Sequence, residues 1–128
     1  MSEWSHLPNA IHIDRLLTSL KANPEKWNAV WDLAWDATWD FARGAAFNAA
    51  CDAVAWSEAF TAVWKAAREV AVPNTAWSAI VALIAWEDCA HLLNSEPEHV
   101  KLLAALGVES AILLYPACLI FSKEKELA

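Results

Sequence analysis

The chain predicts an all-α fold: a compact bundle of about five to six helices with a central Trp-rich helix, open to completion by oligomerisation. Three observations predict it. Trp27, Trp31, Trp35 and Trp39 recur every fourth residue, within a run that reads WNAV, WDLA, WDAT, WDFA. Only two glycines occur in 128 residues, too few for a loop-rich or β-rich fold. No segment sustains the two-residue alternation of a strand. The length and the 58% hydrophobic content suit one helical domain over 1–128, with an irregular leader at 1–8 and a frayed charged tail at 123–128.

A helix turns about 100° per residue, so a step of four advances only about 40°. The four tryptophans therefore share one face. Asp32, Asp36 and Asp40 form the next row. Val30, Ala34, Thr38, Ala42, Ala46 and Ala50 form a row of small side chains. Ala29, Leu33, Ala37, Phe41, Ala45 and Ala49 form a fourth, apolar row. Three rows of four are expected to be buried, with only the aspartate row in water, which places this helix among neighbours on most sides.

The elements follow in order. Asn9 is placed to cap a first helix carrying Ile13, Leu16, Leu17 and Leu20, with Trp4 tucked onto the body. Asn23-Pro24-Glu25 ends that helix and starts the tetrad helix, with Asn as N-cap and Pro at the first position. Arg43-Gly44 interrupts the repeat, and Gly costs about 1 kcal/mol relative to Ala inside a helix. A bend or end is expected there; the alternative is one helix from Pro24 to about Val70. A helix from about Ala45 to Ala71 follows, with Glu58, Thr61, Lys65, Arg68 and Glu69 as its solvated stripe. Pro73-Asn74-Thr75 opens a helix expected over 76–93, apolar on nearly all sides until Glu87. Ser95 and Glu98 have the spacing of a capping box. The short helix they begin stops at Gly107. The last helix runs from Glu109 to about Ser122, with Pro116 kinking or dividing it.

Charge and composition exclude several functions. A net charge of −7 argues against nonspecific nucleic-acid binding and permits a basic partner. Cys51, Cys89 and Cys118 are odd in number, lack a CxxC and fit reduced thiols in a cytoplasmic protein. Residues 1–22 carry no basic start followed by an apolar run, so no secretory signal is expected. The nearest apolar stretches, Ala76–Trp86 and Ala111–Phe121, are too short for a membrane span. The acidic row beside the tryptophans also disfavours a membrane-surface helix.

No phosphate-binding loop, GxSxG or HExxH is present, so no catalysis, cofactor or metal is expected. The nearest approach to a metal motif is Glu87 with His91 on one helix face, echoed by Glu96 and His99. Di-iron bundles need two such pairs and two further glutamates, and the bland reading is a polar helix end carrying His91. Arg43 occupies a position where the repeat would place a tryptophan. Together with Arg68, Trp39 and Trp64 it could clamp and stack a nucleotide-like molecule. An ion pair with Asp36 or Asp40 is the alternative role for Arg43.

The run WDLAWDATWDFARGAAFNAACDAVAW resembles the WDAA-type repeats of small, uncharacterised Ala/Trp-rich proteins of phages and prophages. The stretch from AWSAIVALIAWEDCAHLL to LLAALGVESAILLYPA is similar to the C-terminal half of the same group. The match covers about residues 27–117 and departs at Gly44 and in the phase shift near Trp56. It implies a viral or prophage origin and a helical fold, and it supplies no activity. Small phage proteins without enzyme motifs often bind a host or viral protein, including to block host defence. The expected function is therefore a noncatalytic, homo-oligomeric interaction protein. Asp32, Asp36, Asp40 and Asp52 would face the partner. The alternative is an oligomeric sponge for a nucleotide-like small molecule at the Trp/Arg sites.

Overall fold

The computed structural model describes residues 4, 5, 7–34, 37–54, 58–67 and 74–127. Among them are seven α-helical segments and no strand. They are α1 (Ala10–Ala22), α2 (Pro24–Ala34), α3 (Ala37–Val54), α4 (Glu58–Ala67), α5 (Asn74–Ala85), α6 (Pro97–Ala105) and α7 (Glu109–Leu127), with a 3₁₀ turn at Ala90–Asn94 before α6. The all-α bundle expected from the sequence is the fold.

Two helices lie deepest. Residues 111–118 of α7 are all buried, as are 78–83 of α5. Helix α7 packs against α2, α3, α5, α6 and the 3₁₀ turn; α5 also meets α1, α2, α3 and α4. Neither helix has a solvated stripe over these stretches, as their unbroken apolar sequences require. The tetrad segments reach this centre through Trp27, fully buried, and Trp39, 7% exposed. Burying one tryptophan side chain stabilises the fold by roughly 4 kcal/mol. Trp27 meets Phe121 of α7 edge-on at 6.2 Å, and its indole N–H donates to Ser19 Oγ at 3.2 Å.

Pro116 neither divides α7 nor ends it. A proline inside a helix removes one N–H, so the carbonyl four residues earlier loses its partner. That carbonyl belongs to Ile112, in the most buried part of the molecule. The indole N–H of Trp39 donates to the Ile112 oxygen at 3.3 Å, in a buried setting. One tryptophan of the repeat thus supplies the hydrogen bond that the proline withholds.

Several local expectations need correction. Gly44 is interior to α3 and ends nothing. Its neighbours Arg43 and Ala46 face the body, and their packing holds the helix through the weak residue. The fourth row was expected to be buried, yet Ala29, Ala45 and Ala49 are exposed and Phe41 is 83% exposed. Neighbouring helices cover α3 on one side only. Asn9 holds the N-cap position of α1, but its side chain makes no capping bond there. Its buried amide instead donates to the carbonyls of Leu83 and Trp86 at 3.0 and 2.9 Å. Those are orphan groups at the C-terminal end of α5, which stops at Ala85 rather than near 93. Ser95 is not the N-cap of α6: Glu96 holds that position, and Ser95 Oγ donates to the His91 carbonyl at 2.9 Å. Helix α7 continues to Leu127, past the expected fraying point at Ser122.

Other punctuation is as read. Asn23 separates α1 from α2, and its carbonyl accepts from Lys26 and Trp27. Gly107 adopts φ +88°, the left-handed conformation that glycine reaches without a steric penalty. Gly107 N–H donates to Ala104 and Val108 N–H to Leu103, the paired bonds of a Schellman ending. Trp4 lies against the body, its N–H donating to Asp14 at 2.8 Å.

Replacing Trp39 by Phe is expected to cost about 1–3 kcal/mol, because it orphans a buried carbonyl. Pro116→Ala returns an amide to Ile112, so Trp39→Phe should cost less in that background. Chemical denaturation of the four proteins measures the cycle; equal costs in both backgrounds would mean the indole is not filling the gap. A side chain added at Gly44 meets no atom within 4 Å. Gly44→Ala should accordingly raise stability by about 0.5–1 kcal/mol, and a lowered melting temperature would contradict that.

Candidate functional site

Helix α3 divides into two faces. Trp39, Ala46 and Ala50 are buried, with Arg43 and Phe47 half-buried beside them. On the opposite side Phe41, Ala45, Asn48, Ala49, Asp52 and Ala53 are exposed. At 100° per residue these six positions fall within about 140° of the helix circumference. The result is a continuous solvent-facing surface with one large aromatic, flat alanine ground and Asp52 toward its C-terminal end.

The buried side of α3 consumes the residues that the sequence offered for ligand stacking. Arg43 Nη1 donates to Ser78 Oγ on α5 at 3.1 Å, and Ser78 is 1% exposed. The Arg43 guanidinium carbon lies 6.0 Å from the centre of the Trp39 ring, the outer range of a cation–π contact. Trp39 is itself buried with its N–H engaged. The pair therefore joins α3 to α5 and α7. Trp64 is separate from it. It sits on α4, 45% exposed, with its ring 4.8 Å from that of Trp77 on α5 in an edge-on arrangement. Phe60 completes this cluster, 5.5 Å from Trp77. Arg68 lies outside the described residues.

Of the proposed partner-facing acids, Asp52 is exposed on the outer face of α3. Asp36 lies outside the described residues. Asp32 and Asp40 belong to α2 and α3 by backbone, and their side chains lie outside the description. Phe41, the most exposed aromatic on this face, was misplaced by sequence reasoning. Its signal was its row, whose other members are nearly all alanine; alanine tolerates water and core equally, so the row reads as apolar without specifying burial.

Glu87 and His91 do not share a helix face, because α5 ends before both. His91 lies in the 3₁₀ turn with Nδ1 3.0 Å from the Asp88 carbonyl oxygen. Among the described residues no group of three or more His, Cys, Asp or Glu is placed to hold a metal. No helix among them is long and apolar enough to cross a membrane.

All three cysteines are free thiols. Burial pushes the Cys89 thiol up to about 12; a backbone hydrogen bond offsets part of this and the Asp88 charge adds to it. Its Sγ lies 3.3 Å from the Trp86 carbonyl oxygen, so the thiol supports the end of α5. Cys118 is pushed up to about 11 by burial and by the Glu96 carboxylate, with Sγ 3.1 Å from the Ser95 carbonyl oxygen. Burial and then Asp52 also raise Cys51. Thiols held protonated are the reverse of activated nucleophiles.

No family model, curated protein or solved structure matches this chain.

The cysteines predict alkaline sensitivity. A thiol ionises near 9.0 in the unfolded chain and near 12 at Cys89 in the fold. The folded state thus holds its proton longer, so this contribution is intact below about pH 9 and declines as pH rises toward 12. Denaturation midpoints should fall across that window, and Cys89→Ala should flatten the slope. An unchanged slope would remove Cys89 as the cause.

Proposed function

We propose that this chain is a noncatalytic, phage-type interaction protein that acts in the cytoplasm by binding a host or viral protein, a class of roles that includes blocking host defence. The observation that carries the reading is Phe41. It is 83% exposed on a long helix, set among exposed alanines. A large aromatic left in water forgoes roughly 1.5–3 kcal/mol of burial. Aromatic anchors surrounded by small or polar residues are the usual energetic centres of protein interfaces. Asp52 adds an acidic rim, consistent with a basic partner and with the chain's net charge of −7. Homo-oligomerisation belongs to the same reading, since one face can serve a second copy or a foreign partner.

The protonated thiols and the helix-joining role of Arg43 support a scaffold without catalysis. The engagement of Arg43 and Trp39 within the fold also weakens the sponge reading. A nucleotide stacked on Trp39 would have to displace the indole from the Ile112 carbonyl and Arg43 from Ser78.

Phe41→Asp should abolish or reduce partner capture at least tenfold (about 1.4 kcal/mol) while leaving helix content and melting temperature unchanged. Asp52→Lys should weaken capture less and reduce its salt dependence. Quantitative affinity capture from host lysate, with wild type and both variants in parallel and native mass spectrometry of each, reads the result. Equal capture by Phe41→Asp would refute the assignment of this face. Extra mass of a few hundred daltons per site, lost on Arg43→Ala, would revive the sponge.

A further inference from the structure

The junction of α1, the 3₁₀ turn and the end of α7 forms a half-open cavity of about 300 Å³. Arg15, Asn94, Ser95, Glu96, Phe121 and Ser122 border it, and none of them lies on α3. Arg15 is held there from two directions. Its guanidinium carbon sits 3.9 Å above the Phe121 ring centre, and Nη1 donates to Asn94 Oδ1 at 2.9 Å. Stacking fixes the plane of the guanidinium and the amide fixes its rotation. A guanidinium has five N–H donors in a planar fork, so among the described residues the bond to Asn94 leaves others for a ligand. Because Asn94 turns its oxygen to Arg15, its NH₂ group is also left to donate.

The remaining wall is already partly committed. Ser95 Oγ donates to the His91 carbonyl, and the Ser95 carbonyl accepts from Cys118. What the cavity offers is therefore a fixed cationic fork, an amide donor and the Glu96 carboxylate. A simple anion would gain Arg15 and be repelled by Glu96; a simple cation would meet the reverse. A molecule with both signs satisfies both groups. The volume is at the small end of ligand pockets and suits a compact metabolite.

We propose that this cavity binds a small zwitterion of the α-amino acid type, its carboxylate forked by Arg15 and its ammonium held by Glu96. The site is independent of the α3 face, so either can fail alone.

The test is titration of the full chain with individual free amino acids, followed by NMR. The reporters are the Asn94 side-chain amide and the backbone amides of Ser95, Glu96 and Ser122. Acetate and methylammonium serve as single-sign controls. At least one amino acid should give saturable shifts at these amides, with both controls weaker by about tenfold or more. Arg15→Lys keeps the charge and loses the fork, and Glu96→Gln removes the negative group; each should weaken amino-acid binding about tenfold. Glu96→Gln should also leave acetate binding unchanged or tighter. Glu96 is exposed, so this variant decides the matter even if Arg15→Lys disturbs packing on Phe121. Absence of saturable shifts with every amino acid would overturn the proposal. Acetate binding as tightly as the amino acid, with no effect of Glu96→Gln, would overturn it equally by making the cavity a plain anion site.

Discussion

The bond from the Trp39 indole to the Ile112 carbonyl is the constraint around which the bundle is arranged. Helix α7 is buried over 111–118 and carries a proline in that stretch. In water the freed carbonyl would find a solvent partner; in the core it must find a protein donor or carry a cost of about 1–3 kcal/mol. Indole offers a donor at the tip of a large apolar body, so it can reach into a core and satisfy a polar atom without bringing water. Satisfying Ile112 positions Trp39, and Trp39 sets the roll of α3. That roll carries Arg43 to Ser78 on one side and turns Phe41 outward on the other.

The same logic recurs elsewhere. Asn9 serves carbonyls of α5, Cys89 supports them, and Cys118 serves the Ser95 carbonyl. Each of these polar groups lies on a different element from the one it completes, or outside the helix it serves. The helices are punctuated by their neighbours as much as by their own sequences. This explains how α5 ends against the core without a glycine of its own.

That pattern also sets what could be read beforehand. Asn23-Pro24 and Gly107 were legible because proline and glycine act locally, through φ and a missing N–H. The end of α5 was not legible: residues 86–93 continue an acceptable helical pattern, and the amide that serves the end carbonyls comes from Asn9. The Glu87/His91 pairing failed with it. Within the tetrad segments, Trp27 and Trp39 face inward as their spacing predicted, while Trp35 and the side chain of Trp31 lie outside the described residues. That spacing could not distinguish the alanine row beside it from the row carrying Phe41, because burial of alanine depends on where neighbours lie. Asp52 was correctly placed in water, while the stacking role given to Trp39 and Arg43 missed that buried polar groups are taken up by the fold first.

The Asn9 clasp has a kinetic meaning. It joins positions 74 and 77 residues apart, so it closes a loop spanning more than half of the chain. Loop closure of that span is entropically costly and comes after local helix formation. During synthesis the first helix emerges long before its docking partner. It must wait, with Ile13, Leu16 and Leu20 unprotected, until α5 is complete. Helix α1 is thus made well before the helix that secures it, and in the interval between those events its apolar face is open to association with other chains.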